Sequence, residues 1–125
     1  MTKPFLMIAA FFGGTGVMLG AFGAHGLRGR VAEKLLEAFK TGVHYQLVHA
    51  LALLLVALMI QHWGPRTALV SCGVLFAVGV LLFSGSLYGL ALGGPRWLGP
   101  VTPLGGTAMI GGWVALFVAA LHLPR

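Results

Sequence analysis

The side chains best able to do chemistry sit close together in the chain: His44, Tyr45, Gln46 and His49. At about 100° per residue in a helix, Tyr45 and His49 share a face one turn apart, while His44 points elsewhere. Ser84 and Tyr88 form a second group at four-residue spacing, with Ser86 displaced from their face, and His25 ends the first apolar run. Residues of these types serve a proton relay, a metal site, or hydrogen bonds that tie helices together. A helical metal pair sits three or four residues apart with further ligands nearby, which His44 and His49 do not match. Proton pathways in membranes use a carboxylate or lysine within the span. Here both acids, Glu33 and Glu37, lie between apolar runs. Neutral His and Tyr bonding across helices near the headgroups fit the pattern best.

Catalysis has little to build on. His49 with Ser84 is the only nucleophile–base pairing that can be drawn, and no acid is at hand to orient the imidazole. Gly13-Gly14-Thr15-Gly16 lies inside an apolar run rather than after a strand, which makes a phosphate cradle a weak reading. The expectation is a protein that is not an enzyme, with no catalytic residues, no cofactor and no metal. Cys72, the single cysteine, sits in an apolar run and reads as a small buried hydrophobe.

The elements that would position these residues follow from hydropathy. Of 125 residues, 58% are hydrophobic and only 8% charged, with a mean hydropathy of +0.97. Soluble domains carry about 25% charge, so lipid must solvate most of this surface. Four runs hold no Asp, Glu, Lys or Arg: Phe5 to Ala24, Val43 to Ile60, Thr67 to Leu92, and Thr102 to Leu121. Each is long enough to cross a bilayer, which takes roughly 20 residues, the third being the longest, and none alternates as a barrel strand would. The first run exceeds a typical signal-peptide core and is expected to remain as a helix.

The predicted architecture is all-α: a polytopic four-helix membrane bundle forming a single domain over 1–125. Its spans are 5–24, 43–61, 67–92 and 102–122. Between the first two, Val31, Leu35, Ala38 and Phe39 fall at helical spacing, with Arg30, Glu33, Lys34, Glu37 and Lys40 elsewhere. That pattern predicts a short amphipathic helix over 29–40, lying in the headgroup region. Small residues at four-residue spacing mark packing faces, with Gly16, Gly20, Gly85, Gly89 and Gly112 as the packing candidates. The packing they imply is within the bundle or between copies.

The net charge of +6 comes from eight Lys and Arg against two Glu. These cations lie singly or in one short segment between apolar runs, as topology signals do, and nucleic acid is not an expected partner. Arg28, Arg30, Lys34, Lys40 and Arg96 fall on one side, against Lys3, Arg66 and Arg125 on the other. The bias puts the long connection in the cytoplasm and both termini outside.

Four segments carry a resemblance: Gly20-Ala21-Phe22-Gly23-Ala24-His25-Gly26-Leu27, Tyr45 to Leu51, Phe83 to Tyr88, and Thr102-Pro103-Leu104-Gly105-Gly106. Together with the length and the four spans, they resemble the small membrane family known as domain of unknown function 423. That family includes bacterial inner-membrane proteins and the animal transmembrane protein 256. The resemblance covers nearly the whole chain and implies about four membrane helices and an inner-membrane location. It carries no established activity and no catalytic residues. His25, His44, Tyr45, His49, Ser84, Ser86 and Tyr88 are the candidate functional cluster.

Few charges, short connections and many small-residue faces suit an accessory or assembly protein that acts through helix contacts, with the lipid bilayer and a homo-oligomer or larger membrane complex as partners. The alternative is a small transporter or channel for protons or small solutes.

Overall fold

The computed structural model describes residues 1–124 and contains four helices: α1 (Thr2–His25), α2 (Glu33–Trp63), α3 (Thr67–Ala91) and α4 (Leu98–Leu121). All four are long and apolar enough to cross a membrane. At 1.5 Å per residue the shortest is about 36 Å, sufficient for a hydrocarbon core of about 30 Å. Glycine punctuates the connections: Gly29, Gly64 and Gly93 take positive φ, where a Cβ would strain the backbone.

The amphipathic segment expected as a separate helix over 29–40 does not form one. Residues 26–32 are a turn-rich connection, and from Glu33 the chain runs as one 31-residue helix into the second span. Tertiary packing removes the expected break. Leu36 and Phe39 are buried with Leu27, Val43 and Ala91, so the apolar face lies on the protein rather than on the lipid surface. Gly42 continues the helix, with Tyr88 and Ser84 packed against it. Thr41 Oγ1 donates back to Glu37 O at 3.0 Å, which satisfies its hydroxyl without leaving the helix.

The fourth helix begins at Leu98, a turn before the expected 102. Gly99-Pro100 is not a stop here. Proline in a first turn removes an N–H that has no helical partner anyway. Pro103 stands inside the helix, where it removes one backbone bond.

In space the helices follow chain order, with α1 on α2, α2 on α3 and α3 on α4. The central helices are the more enclosed: 50% of the apolar window of α2 is buried, against 22% for α1 and for α4. The main core joins Phe5 and Phe12 of α1, Leu53 and Val56 of α2, Leu69 and Phe76 of α3, and Met109 of α4. Glycines set the closest approaches. Gly16 admits Leu47, Gly73 admits the Phe5 ring, and Gly105 lies directly on the Phe83 backbone. Gly112 receives the Phe76 ring and Gly89 receives Leu98. At Gly20 a Cβ would meet Val43 at an ordinary 3.4 Å. Gly85, expected in a packing face, instead has nothing within 4 Å of its Cβ position and faces outward.

Candidate functional site

The polar side chains gather into three small constellations in the bundle. The largest centres on Gln46, which is 4% exposed. Its Nε2 donates to Phe12 O and to Thr15 Oγ1, both at 2.8 Å, and its Oε1 accepts from Tyr88 OH at 2.6 Å. One amide therefore joins α1, α2 and α3 with both amide hydrogens and its oxygen in use. Thr15 Oγ1 passes its own proton to Phe11 O at 2.7 Å. Beside this network, Ser84 Oγ donates to Gly42 O at 2.6 Å, a second tie between α3 and α2.

The second constellation is aromatic. His49, one turn below Tyr45 on α2, is 4% exposed. Its Nδ1 lies 2.8 Å from Tyr45 O, and its Nε2 accepts from Trp113 Nε1 of α4 at 3.1 Å. A carbonyl on one side and an indole N–H on the other select the neutral tautomer protonated at Nδ1. The imidazole meets Phe76 edge-on at 5.1 Å between centroids, and Tyr45 stacks beside it at 6.2 Å. Tyr45 also lies 4.8 Å from the Phe83 ring. The rings of Tyr45, His49, Phe83 and Trp113 wall a cleft of about 280 Å³ between α2 and α4, completed by Gly106, Met109 and Ile110.

The third is a hydroxyl pair, Ser86 Oγ with Thr102 Oγ1, which joins α3 to α4. Ser86 also donates to Phe83 O at 2.9 Å.

The candidate cluster is thus split. Tyr45 and His49 come together, and Ser84 and Tyr88 meet the same stretch of α2. Ser86 turns to α4 instead. His25 is exposed and joins neither group, and His44, also exposed, meets only the Tyr45 ring edge-on at 5.6 Å between centroids. His49 and Ser84 each bond other partners, so the one nucleophile–base pairing drawn from sequence has no geometry. Among the described residues no three His, Cys, Asp or Glu side chains gather as metal ligands. No buried side-chain nitrogen or oxygen among them lacks a partner.

Gln46, Thr15, Thr102 and Trp113 lie outside the candidate set yet hold the constellations together. Two of them carry a legible signal. Gln46 is the one amide inside the four apolar runs, and a primary amide in hydrocarbon must find partners. Trp113 lies deep in a span rather than at the interface where tryptophan usually anchors. Thr15 and Thr102 have no such mark, since a threonine can bond its own helix.

The chain is 42% identical to the UPF0382 membrane protein YwdK of Bacillus subtilis, over 95% of its own length and 97% of the relative's. It is 40% identical to the UPF0382 membrane protein SERP0230 of Staphylococcus epidermidis, over 95% and 96%. It is 39% identical to the UPF0382 inner membrane protein YgdD of Escherichia coli, over 100% and 95%. No solved structure matches. With relatives of that kind and four helices able to span, the chain is a multi-pass inner-membrane protein. The family model described as protein of unknown function DUF423 matches residues 19–106, which include Gln46, His49, Ser84 and Tyr88, and the chain belongs to that family.

Proposed function

We propose that the protein is a small, non-catalytic accessory subunit of the membrane that docks laterally onto a transmembrane helix of a partner. The observation that carries this reading is the outward face of α1. Ala10, Gly14, Val17, Ala21 and Ala24 recur at alternating spacings of four and three, and all are exposed. That is a heptad seam, small at every position but Val17, the pattern that lets a second helix approach closely at a shallow left-handed angle. Beside it runs an apolar groove of about 740 Å³ between α1 and α2, with Leu47, Leu51 and Leu54 along its α2 wall.

The outward face of α4 supplies the contrast. Its exposed residues include Leu104, Ile110, Val114, Phe117 and Leu121, large side chains suited to lipid. α1 also exposes Met7, Phe11, Met18 and Phe22, so its large side chains meet lipid on one side while the small residues are confined to a strip beside them. The transport reading has less support. The buried polar side chains are all tied to one another or to backbone carbonyls, and the part of the core around Leu53, Ile60 and Leu69 is apolar among the described residues.

Native extraction in mild detergent tests the proposal. The wild-type chain should migrate as part of a complex, and Gly14→Ile with Ala21→Ile should release a folded monomer. A wild-type chain recovered only as a lone monomer, or a complex indifferent to both substitutions, would refute it.

A further inference from the structure

We propose that the aromatic cleft between α2 and α4 binds the head ring of a lipid-soluble quinone. The depth of the cleft comes first. Gly106 and Trp113 lie about 12 Å and 22 Å along α4 from its start, so the cleft occupies the middle of a span about 36 Å long. A ligand there must arrive through the hydrocarbon rather than from water. Its volume of about 280 Å³ sits at the lower end of small-molecule pockets, enough for one ring system and too small for a whole lipid. A hydrophobic tail would leave past Ile110, which is 66% exposed at the rim.

The walls select the ring. Tyr45, Phe83, His49 and Trp113 come from three helices and present π-systems to one space. A flat, electron-poor ring gains from offset or edge contacts with such walls. An acyl chain needs none of this and is better served by the aliphatic groove beside α1. Gly106 supports the same conclusion. Its neighbours Gly105 and Gly112 are glycine because Phe83 and Phe76 occupy their Cβ positions. At Gly106 a Cβ would meet only the Phe83 ring edge, at an ordinary 3.7 Å, so packing does not demand glycine there. What the missing side chain leaves open is the cleft itself.

One polar group remains to orient the ligand. Both ring nitrogens of His49 are engaged, as described above. The Tyr45 phenol lines the cleft, is half-exposed, and finds no hydrogen-bond acceptor among the described residues. In oil a phenol O–H gains from an acceptor, and a quinone carbonyl is an uncharged acceptor that a hydrophobic ligand can carry. The Tyr45 hydroxyl therefore donates to one carbonyl while the rings of Phe83 and Trp113 flank the quinone.

Tryptophan fluorescence tests this directly, because a quinone in contact with an indole quenches it. With Trp63→Phe and Trp97→Phe, Trp113 becomes the sole tryptophan. The full chain in neutral-lipid nanodiscs is titrated with menadione and with a short-chain ubiquinone analogue. The expected result is saturable quenching. Tyr45→Phe should weaken binding by about three- to tenfold, as loss of one hydrogen bond does, and Gly106→Leu should abolish saturation. Where the leucine variant does not fold, Gly106→Ala should weaken binding in the same direction. Dimethylnaphthalene, which has the ring but no carbonyl, should not compete. Quenching that rises without saturation, equal competition by the hydrocarbon, or an unchanged affinity in Tyr45→Phe would each overturn the proposal.

Discussion

Replacing Gln46 with leucine should be among the most damaging single changes to this bundle, although it makes a membrane helix more hydrophobic. The amide accounts for three interhelical bonds: to Phe12 O, to Thr15 Oγ1 and from Tyr88 OH. Such bonds within membranes are worth about 0.6 kcal/mol on average and up to about 1.7, so three amount to about 2–5 kcal/mol. The leucine variant sits toward the lower end, about 2–3 kcal/mol, for a structural reason. Thr15 keeps its bond to Phe11 O at 2.7 Å, and among the side chains the Tyr88 hydroxyl is the one that loses its acceptor. Tyr88→Phe alone should cost about 1 kcal/mol. In the double variant the Tyr88–Gln46 bond is already gone, so the two effects should fall short of additive by about 0.6–1.7 kcal/mol. Reversible unfolding of the micelle-embedded chain with rising dodecyl sulfate, followed by circular dichroism, gives all four corners of that cycle. Additivity within about 0.3 kcal/mol, or wild-type stability in Gln46→Leu, would refute the claim that this amide clamps three helices together.

The remaining expectations are simpler. Gly73→Leu forces a side chain into the Phe5 ring and should destabilise by about 1–3 kcal/mol or more. Gly85→Leu, facing open space, should stay within about 0.5 kcal/mol of wild type, so similar melting temperatures for the two would contradict the packing described. Trp113→Phe keeps the aromatic contact with Phe76 but deletes the donor to His49, and should cost about 0.6–1.7 kcal/mol in the same unfolding assay. A reporter active only in the cytoplasm, fused to the C-terminus, should stay silent, because the side holding Arg28, Arg30, Lys34, Lys40 and Arg96 is the one expected to face the cytoplasm. Strong reporter activity would reverse that orientation.

The polar residues show where sequence reading stops. Tyr45 and His49 lie on one helix four residues apart, and their shared face follows from the helical period alone. Ser84 and Tyr88 are related in the same way. That Tyr88 reaches Gln46, or that Trp113 reaches His49, depends on how one helix is rotated and slid against another. In helices hydrophobic on all sides, no polar face marks which side turns inward. The same limit explains Gly85 and Gly73. Both are glycines within α3, yet one faces lipid and the other receives a phenylalanine ring.

Hydropathy along the chain determined that this protein is four helices in a membrane, because a backbone in oil must satisfy its own hydrogen bonds and each uncharged run is long enough to do so by itself. Tertiary structure decided what the runs could not. It drew residues 33–40 into α2 by burying Leu36 and Phe39 against Leu27 and Ala91, and it gave Gln46 its three partners. It also left the small-residue seam of α1 facing outward. Those outcomes depend on contacts between helices, and a hydropathy pattern read along a single helix has no term for its neighbours.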